Sequence, residues 1–167
     1  MRASPFHVHV GRVLKSRDPR RERVSAPIDD LFVSGSEVPA GAEVEVDVVL
    51  EPVGATVEAI GTVSAPWTGQ CRRCLQPARG VLTADVHEVF EADFVEGESY
   101  PLAHEQIDLE PLAREAVVLE LPPAPLCKED CRGLCAQCGT DLNEGSCSCE
   151  APVDPRWAAL DELRTED

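Results

Sequence analysis

Residues 43–67 read EVEVDVVLEPVGATVEAIGTVSAPW. Val44, Val46 and Val48 alternate with Glu43, Glu45 and Asp47. A period of two puts apolar and charged side chains on opposite faces of a strand, one buried and one wet. The alternation breaks near Pro52–Gly54, where turn residues stand, and a second strand follows toward Trp67. Residues 80–94, GVLTADVHEVFEADF, repeat the alternation as a third strand, and the loop feeding it is CRRCLQP, Cys71–Pro77.

The period changes at residues 107–121, IDLEPLAREAVVLEL. Leu109, Leu112, Ala113, Ala116 and Val117 recur at i, i+3, i+4, i+7 and i+8, which is the stripe of a helix. Asp108 suits its N-cap, Pro111 is tolerated in its first turn, and Pro122–Pro123 stops it. A shorter helix is expected from Asp154, with Pro155 in its first turn and Trp157, Leu160 and Leu163 on one side. The expected fold class is α+β: an antiparallel sheet covered by one main helix, with a zinc-organised C-terminal lobe. The chain divides into a basic N-terminal arm (1–25), an α+β core (26–125), a cysteine-rich zinc lobe (126–150) and a C-terminal helical tail (151–167). In the arm HVHV (His7–Val10) alternates as a short strand would, and the segment after it reads as mobile.

With 167 residues the chain can bury a real core, and with aromatics at only 4% the aliphatics must fill it. The basic opening residues lack the apolar stretch of a secretion signal, and no apolar run reaches membrane-spanning length. The cytoplasm is therefore the expected location, where thiols stay reduced. The net charge is −16 and uneven. Residues 1–23 hold seven Lys/Arg against Asp18 and Glu22, a balance of +5 that leaves −21 for the rest. From Gly80 to Pro125 eleven acids face one base, Arg114. Such a surface repels phosphate backbones, so contact with nucleic acid falls to the arm or to CRRC and is weak, and a protein with a basic face is the better partner.

Eight cysteines fall into four close pairs: Cys71/Cys74, Cys127/Cys131, Cys135/Cys138 and Cys147/Cys149. A cysteine taken singly is a small apolar residue. Four pairs in a reducing compartment instead make two complete four-thiolate sites, the donor set of structural zinc. Gly139 after the second C-x2-C permits positive φ and close approach of backbone N–H groups to sulfur. Local connection groups Cys135, Cys138, Cys147 and Cys149, so that Cys71 and Cys74 meet Cys127 and Cys131 across 52 intervening residues. The rival grouping joins Cys127, Cys131, Cys135 and Cys138, leaving Cys71/Cys74 with Cys147/Cys149. A four-thiolate ion has no open position for substrate, and no nucleophile setting or phosphate-binding loop is present, so no enzyme is expected. His7, His9, His87 and His104 lack a third ligand and read as surface residues. Arg72 and Arg73 in the upstream pair are candidate partner-binding residues, or neutralise nearby thiolate charge.

CRRCLQP after a hairpin, IDLEPLAREAVVLELPPAPLC, CRGLCAQCGTDLN and DPRWAAL, in that order, resemble the YceD family, the bacterial large-subunit ribosomal RNA accumulation proteins. The likeness runs from about Val44 to Leu160, and the GLCAQCG and DPRWAAL forms look like the high-GC Gram-positive branch. The resemblance implies a non-enzymatic role in accumulation of large-subunit ribosomal RNA, with a ribosomal protein or large-subunit precursor as partner. It also implies the first cysteine grouping, because some members keep the upstream C-x2-C and the pair after the proline-rich stretch without the later cluster. The arm inherits nothing. The alternative from the residues themselves is a zinc-thiolate redox or stress regulator acting through a protein partner, since exposed thiolates lose metal on oxidation.

Overall fold

A computed structural model describes residues 4–150, and the helix expected from Asp154 lies outside them. The described elements are β1 (His7–His9), α1 (Gly11–Ser16), β2 (Arg20–Pro27), β3 (Ser36–Glu37), β4 (Glu43–Val53), β5 (Thr56–Gln70), β6 (Pro77–Glu91), β7 (Tyr100–Pro101), β8 (Gln106–Asp108) and α2 (Glu110–Glu120). The main sheet runs β2-β4-β5-β6-β7, with β3 also paired to β5, and a separate ladder joins β1 to β8. All pairings are antiparallel except β6 with β7, which is parallel and only two residues long. The chain is thus mixed α+β, mostly sheet.

The central hairpin forms where the valine alternation places it. β4 and β5 pair from Glu45↔Ser64 to Val53↔Thr56, leaving Gly54 and Ala55 as the loop. Gly54 takes φ 64°, which a side chain would oppose. Val44, Val46, Val48 and Leu50 of β4 face inward with at most 1% exposure. Val57, Ala59 and Val63 of β5, Leu82, Val86 and Phe90 of β6, and Leu112, Ala113 and Val117 of α2 complete this core. Each fully buried valine or leucine contributes roughly 1.5–3 kcal/mol of transfer free energy. α2 stops at Glu120, and Leu121, fixed by the following proline, is extended at φ −57° and ψ 126°. Leu109 occupies the cap position expected of Asp108, yet the Asp108 carboxylate still accepts the Glu110 N–H at 3.0 Å.

Two expectations are corrected. The basic arm is built into the fold between residues 7 and 25: β1 pairs with β8, α1 follows, and β2 is an edge strand of the main sheet. Its arginines meet acids on β4, with Arg21 bidentate to Asp47 at 2.7 Å and Arg23 bonded to Glu45 at 3.0 Å. Phe6, Val8 and Val10 enter the core, and Val13 is buried. Two helices are present among the described residues instead of one main helix. At six residues, α1 is too short for a helical stripe to repeat.

β5 and β6 are 15 residues each and run past the end of β4 as a ribbon, paired out to Gln70↔Pro77 and flanked by β3 at Thr68 and Gly69. This ribbon carries Cys71–Gln76 at its tip. Trp67 lies over Gly80 and packs against both the main core and a second cluster of Cys71, Cys74, Ala78 and Cys131. Deeper in the sheet, Gly61 sits where β4 passes closest, and an added Cβ would stand 2.2 Å from the Asp47 carbonyl oxygen. Gly61→Ala is therefore expected to cost about 1–3 kcal/mol in a urea melt, as overpacking against backbone does.

Candidate metal centre

The ribbon tip closes on itself. Cys71 N–H donates to the Gln76 carbonyl at 2.8 Å, and Leu75 N–H donates to the Cys71 carbonyl at 2.9 Å. The second C-x2-C repeats this scheme: Cys135 N–H reaches the Thr140 carbonyl and Gly139 N–H the Cys135 carbonyl, both at 2.9 Å. In each knuckle the residue after the second cysteine is left-handed, Gly139 at φ 73° and Leu75 at φ 63°. Glycine does this freely, whereas leucine is strained by about 1–2 kcal/mol. The sequence signals the glycine knuckle openly and hides the leucine one.

The segment leaving α2 returns to the ribbon. Ser36 Oγ donates to the Pro122 carbonyl at 2.8 Å, and Arg72 N–H to the Pro125 carbonyl at 2.9 Å. This docking delivers Cys127 and Cys131 to the first knuckle. The sulfurs of Cys71, Cys74, Cys127 and Cys131 lie within 4.8 Å of one another, as do those of Cys135, Cys138, Cys147 and Cys149. Cys71–Cys131 and Cys74–Cys127 sulfur separations are 3.8 Å and 3.5 Å. A tetrahedral ion with metal–sulfur bonds of about 2.3 Å requires sulfur–sulfur edges of about 3.8 Å. The grouping is the one favoured by local connection, not its rival.

The thiols are electrostatically unequal. Burial pushes Cys71 up, but backbone N–H groups at Cys74, Cys127 and Arg73 outweigh it and bring the thiol down to about 6. Cys127 is pushed up to about 12, first by Cys74, then by burial and by Cys131 and Cys71. In the second cluster the Thr140 hydroxyl and N–H hold Cys138 down to about 6, while Cys138 and burial push Cys149 up to about 12. Four thiolates this close cannot all ionise alone. A divalent cation removes the repulsion, and the donor set fits a soft-ligand metal such as zinc at both centres.

Three supporting residues were not legible in the sequence. Asn143 Nδ2 approaches Cys131 Sγ at 3.5 Å while its Oδ1 accepts the Arg132 N–H at 2.9 Å. Thr140 Oγ1 lies 3.1 Å from Cys138 Sγ. Gly133, at φ 76°, lets the lobe abut the backbone of Arg73, where an added Cβ would meet the carbonyl oxygen at 3.0 Å. Asn and Thr partners of sulfur carry no spacing signature. Of the two candidate arginines, both exposed, Arg73 is also tied down: its guanidinium donates to the Cys131 carbonyl at 2.8 Å and its carbonyl accepts the Leu134 N–H at 3.1 Å. His7 lies 3.8 Å from Asp108, His9 3.8 Å from Glu105, and His87 2.8 Å from Glu58, so none of these three joins a cysteine cluster.

A hairpin-borne C-x2-C, joined by two cysteines after a proline-stopped helix and followed by a second four-cysteine lobe, defines a cysteine-clustered α+β protein. Residues 59–164 match the family model described as "Large ribosomal RNA subunit accumulation protein YceD", and the chain belongs to the YceD family. It is 40% identical over 130 residues to an uncharacterized protein of Mycobacterium tuberculosis, covering 74% of this chain and 63% of that one. A Mycobacterium leprae protein is 37% identical over 134 residues, covering 76% of this chain and 62% of the relative. These relatives agree with the high-GC Gram-positive type, and the chain spans 63% or less of their length. Similarity extends to "Large ribosomal RNA subunit accumulation protein YCED homolog 1, chloroplastic" of Arabidopsis thaliana, 31% identical over 68 residues, covering 40% of this chain and 21% of that protein. No solved structure matches the chain.

The two clusters differ in what depends on them. In metal-loaded protein Cys71→Ser is expected to lower global stability by several kcal/mol, because its cluster joins distant segments. Cys147→Ser is expected to raise amide exchange only near residues 133–150. Asn143→Ala is expected to weaken metal retention about tenfold or more in a chelator competition, with the fold intact.

Proposed function

We propose that this chain is a non-enzymatic cytoplasmic factor that supports assembly of the large ribosomal subunit and accumulation of its RNA, with two structural zinc ions. Membership of a family described by large ribosomal RNA subunit accumulation carries this reading. The chloroplast relative bears the same description. Two sets of four thiols with tetrahedral spacing support zinc at each, since four thiolates complete its coordination and leave no position for a substrate. The partner is a ribosomal protein or a large-subunit precursor, approached through protein contact. Charge supports this: Arg20, Arg21 and Arg23 are engaged with Glu22, Asp47 and Glu45, which removes much of the basic segment as a phosphate-binding surface. A weak RNA contact falls to Arg72, which is exposed and makes no ion pair among the described residues. No helix among the described residues is long and apolar enough to cross a membrane.

A redox role is a second reading, because Cys127, Cys138 and Cys149 are exposed. Rapid zinc loss in mild peroxide, coupled to a change of bound partner, would favour it. For the assembly reading, elemental analysis is expected to find two zinc ions per chain, and depletion is expected to lower mature large-subunit RNA relative to small-subunit RNA. An unchanged RNA ratio sinks the assembly role. Arg72→Ala is expected to reduce activity mildly without unfolding the chain, whereas Arg73→Ala loosens the cysteine lobe as well.

A further inference from the structure

β6 has a neighbour on only one side for most of its length. β5 pairs with it from Pro77 to Phe90, but on the other edge β7 meets only Phe90 and Glu91. Among the described residues the edge from Pro77 to Val89 has no strand beside it. Unpaired N–H and C=O groups in a row are a template for another strand. α2 packs against β6, and the groove between them has an apolar floor of Ala84, Val86, Leu112 and Ala116, with Leu119 at its rim. Leu119 is 83% exposed, unusual for a leucine on a helix packed against a core.

The rim has one sign. Asp85, Glu88, Glu115 and Glu120 line the groove, and its continuation past Tyr100 adds Glu98. No lysine, arginine or histidine lines either part. Of the nearby bases, Arg114 turns away to Glu110 and the Asp29 carbonyl, His87 on β6 bonds Glu58, and Arg79 lies toward the ribbon end of the same strand. Tyr100 donates its hydroxyl to Glu115 at 2.7 Å, but none of the rim acids is in an ion pair among the described residues. Burial and then the charge of Glu115 push the Glu88 carboxyl above its ordinary range. The folded chain holds this carboxylate at a cost that a bound cation would relieve.

We propose that the free edge of β6 and the adjoining face of α2 form a docking groove for an extended lysine- or arginine-rich segment of a protein, which adds to the sheet as a strand and sets its cations against Glu88, Glu115 and Glu120. Strand addition draws affinity from main-chain hydrogen bonds and specificity from alternate side chains. Charge chooses the occupant. A nucleic acid is repelled by the rim. A second copy brings the same acids to the same edge. The chain's own residues 151–167 hold five acids against two bases, so they match the groove poorly. The inference deepens the reading of a basic protein partner made above and names its site.

The test uses the full metal-loaded chain and a ten-residue peptide alternating valine and lysine, with a valine–glutamate peptide as control. Fluorescence anisotropy is expected to show salt-sensitive binding of the lysine peptide alone, and amide exchange to show protection at residues 79–89. Glu88→Gln with Glu115→Gln is expected to lower affinity about tenfold while leaving the melting temperature equal or higher, since removing crowded charge does not harm the fold. N-methylation of alternate peptide amides is expected to weaken binding comparably, because it removes ladder hydrogen bonds and keeps the charge. Equal binding of the glutamate peptide, protection elsewhere, or self-association through β6 in the absence of peptide overturns the proposal. Groove binding with an unchanged ribosomal RNA ratio on depletion would sink the assembly reading alone. A changed ratio with no groove binding would sink the groove alone.

Discussion

Four sulfur atoms from two segments separated by 52 residues must meet within 4.8 Å, and much of the structure serves that constraint. It explains why β5 and β6 outrun their core: a ribbon is needed to carry Cys71 and Cys74 toward the segment leaving α2. It explains the stop at Pro122–Pro123, which turns the chain back toward the ribbon instead of letting α2 continue. Ser36, Arg72 and Arg73 then contribute hydrogen bonds that fix the returning segment before any ion is considered. Closing a loop of this length costs configurational entropy, and the hydrogen bonds together with the Trp67 contact offset part of that cost. A cation would therefore enter a site whose geometry is largely set by the polypeptide.

Charge is arranged as deliberately as sulfur. The basic segment lies along the outer edge of the main sheet, where Arg21 and Arg23 face Asp47 and Glu45 on β4. Exposed pairs of this kind contribute little stability each. Their effect is on the surface: they cancel local charge at one edge of the sheet, while Glu88, Glu115 and Glu120 of β6 and α2 have no ion-pair partner among the described residues. The molecule is thus polarised across its sheet, with the β6 side the more negative.

The sequence made some of this plain and concealed the rest for identifiable reasons. Val44, Val46 and Val48 announced their strand because a half-buried antiparallel strand has a period that composition alone reveals. The helix stripe from Leu109 to Val117 was equally open. β2 was not, because RRERVSAP shows no apolar alternation: its side chains are only half-buried, and their partners are acids more than twenty residues away. α1 was too short to show a period. Among the cysteines, spacing gave the pairs and chain connectivity favoured their grouping. Leu75, Thr140 and Asn143 stayed hidden, since a strained φ and a single hydrogen bond to a cysteine sulfur leave no pattern in residue type.

The two clusters share a knuckle yet rest on different physics. Cys71, Cys74 and Cys131 are at most 2% exposed and pack with Ala78, Trp67, Leu126 and Leu134. Neutral thiols are small apolar groups, so this packing has favourable contacts to keep even without a cation. Cys138 and Cys149 are exposed, no apolar cluster surrounds them, and their lobe is organised chiefly by the turn between Leu134 and Asp141. Without a cation that lobe has turn hydrogen bonds but almost no buried surface to set against the entropy of ordering it. The first cluster is thus part of the fold and would be strengthened by a metal, while the second would depend chiefly on one. Asn143 joins the two, since it bonds Cys131 of the first from the loop that closes the second. The outer lobe thus touches the inner cluster at a sulfur, beside the backbone bond from Leu134 N–H to the Arg73 carbonyl.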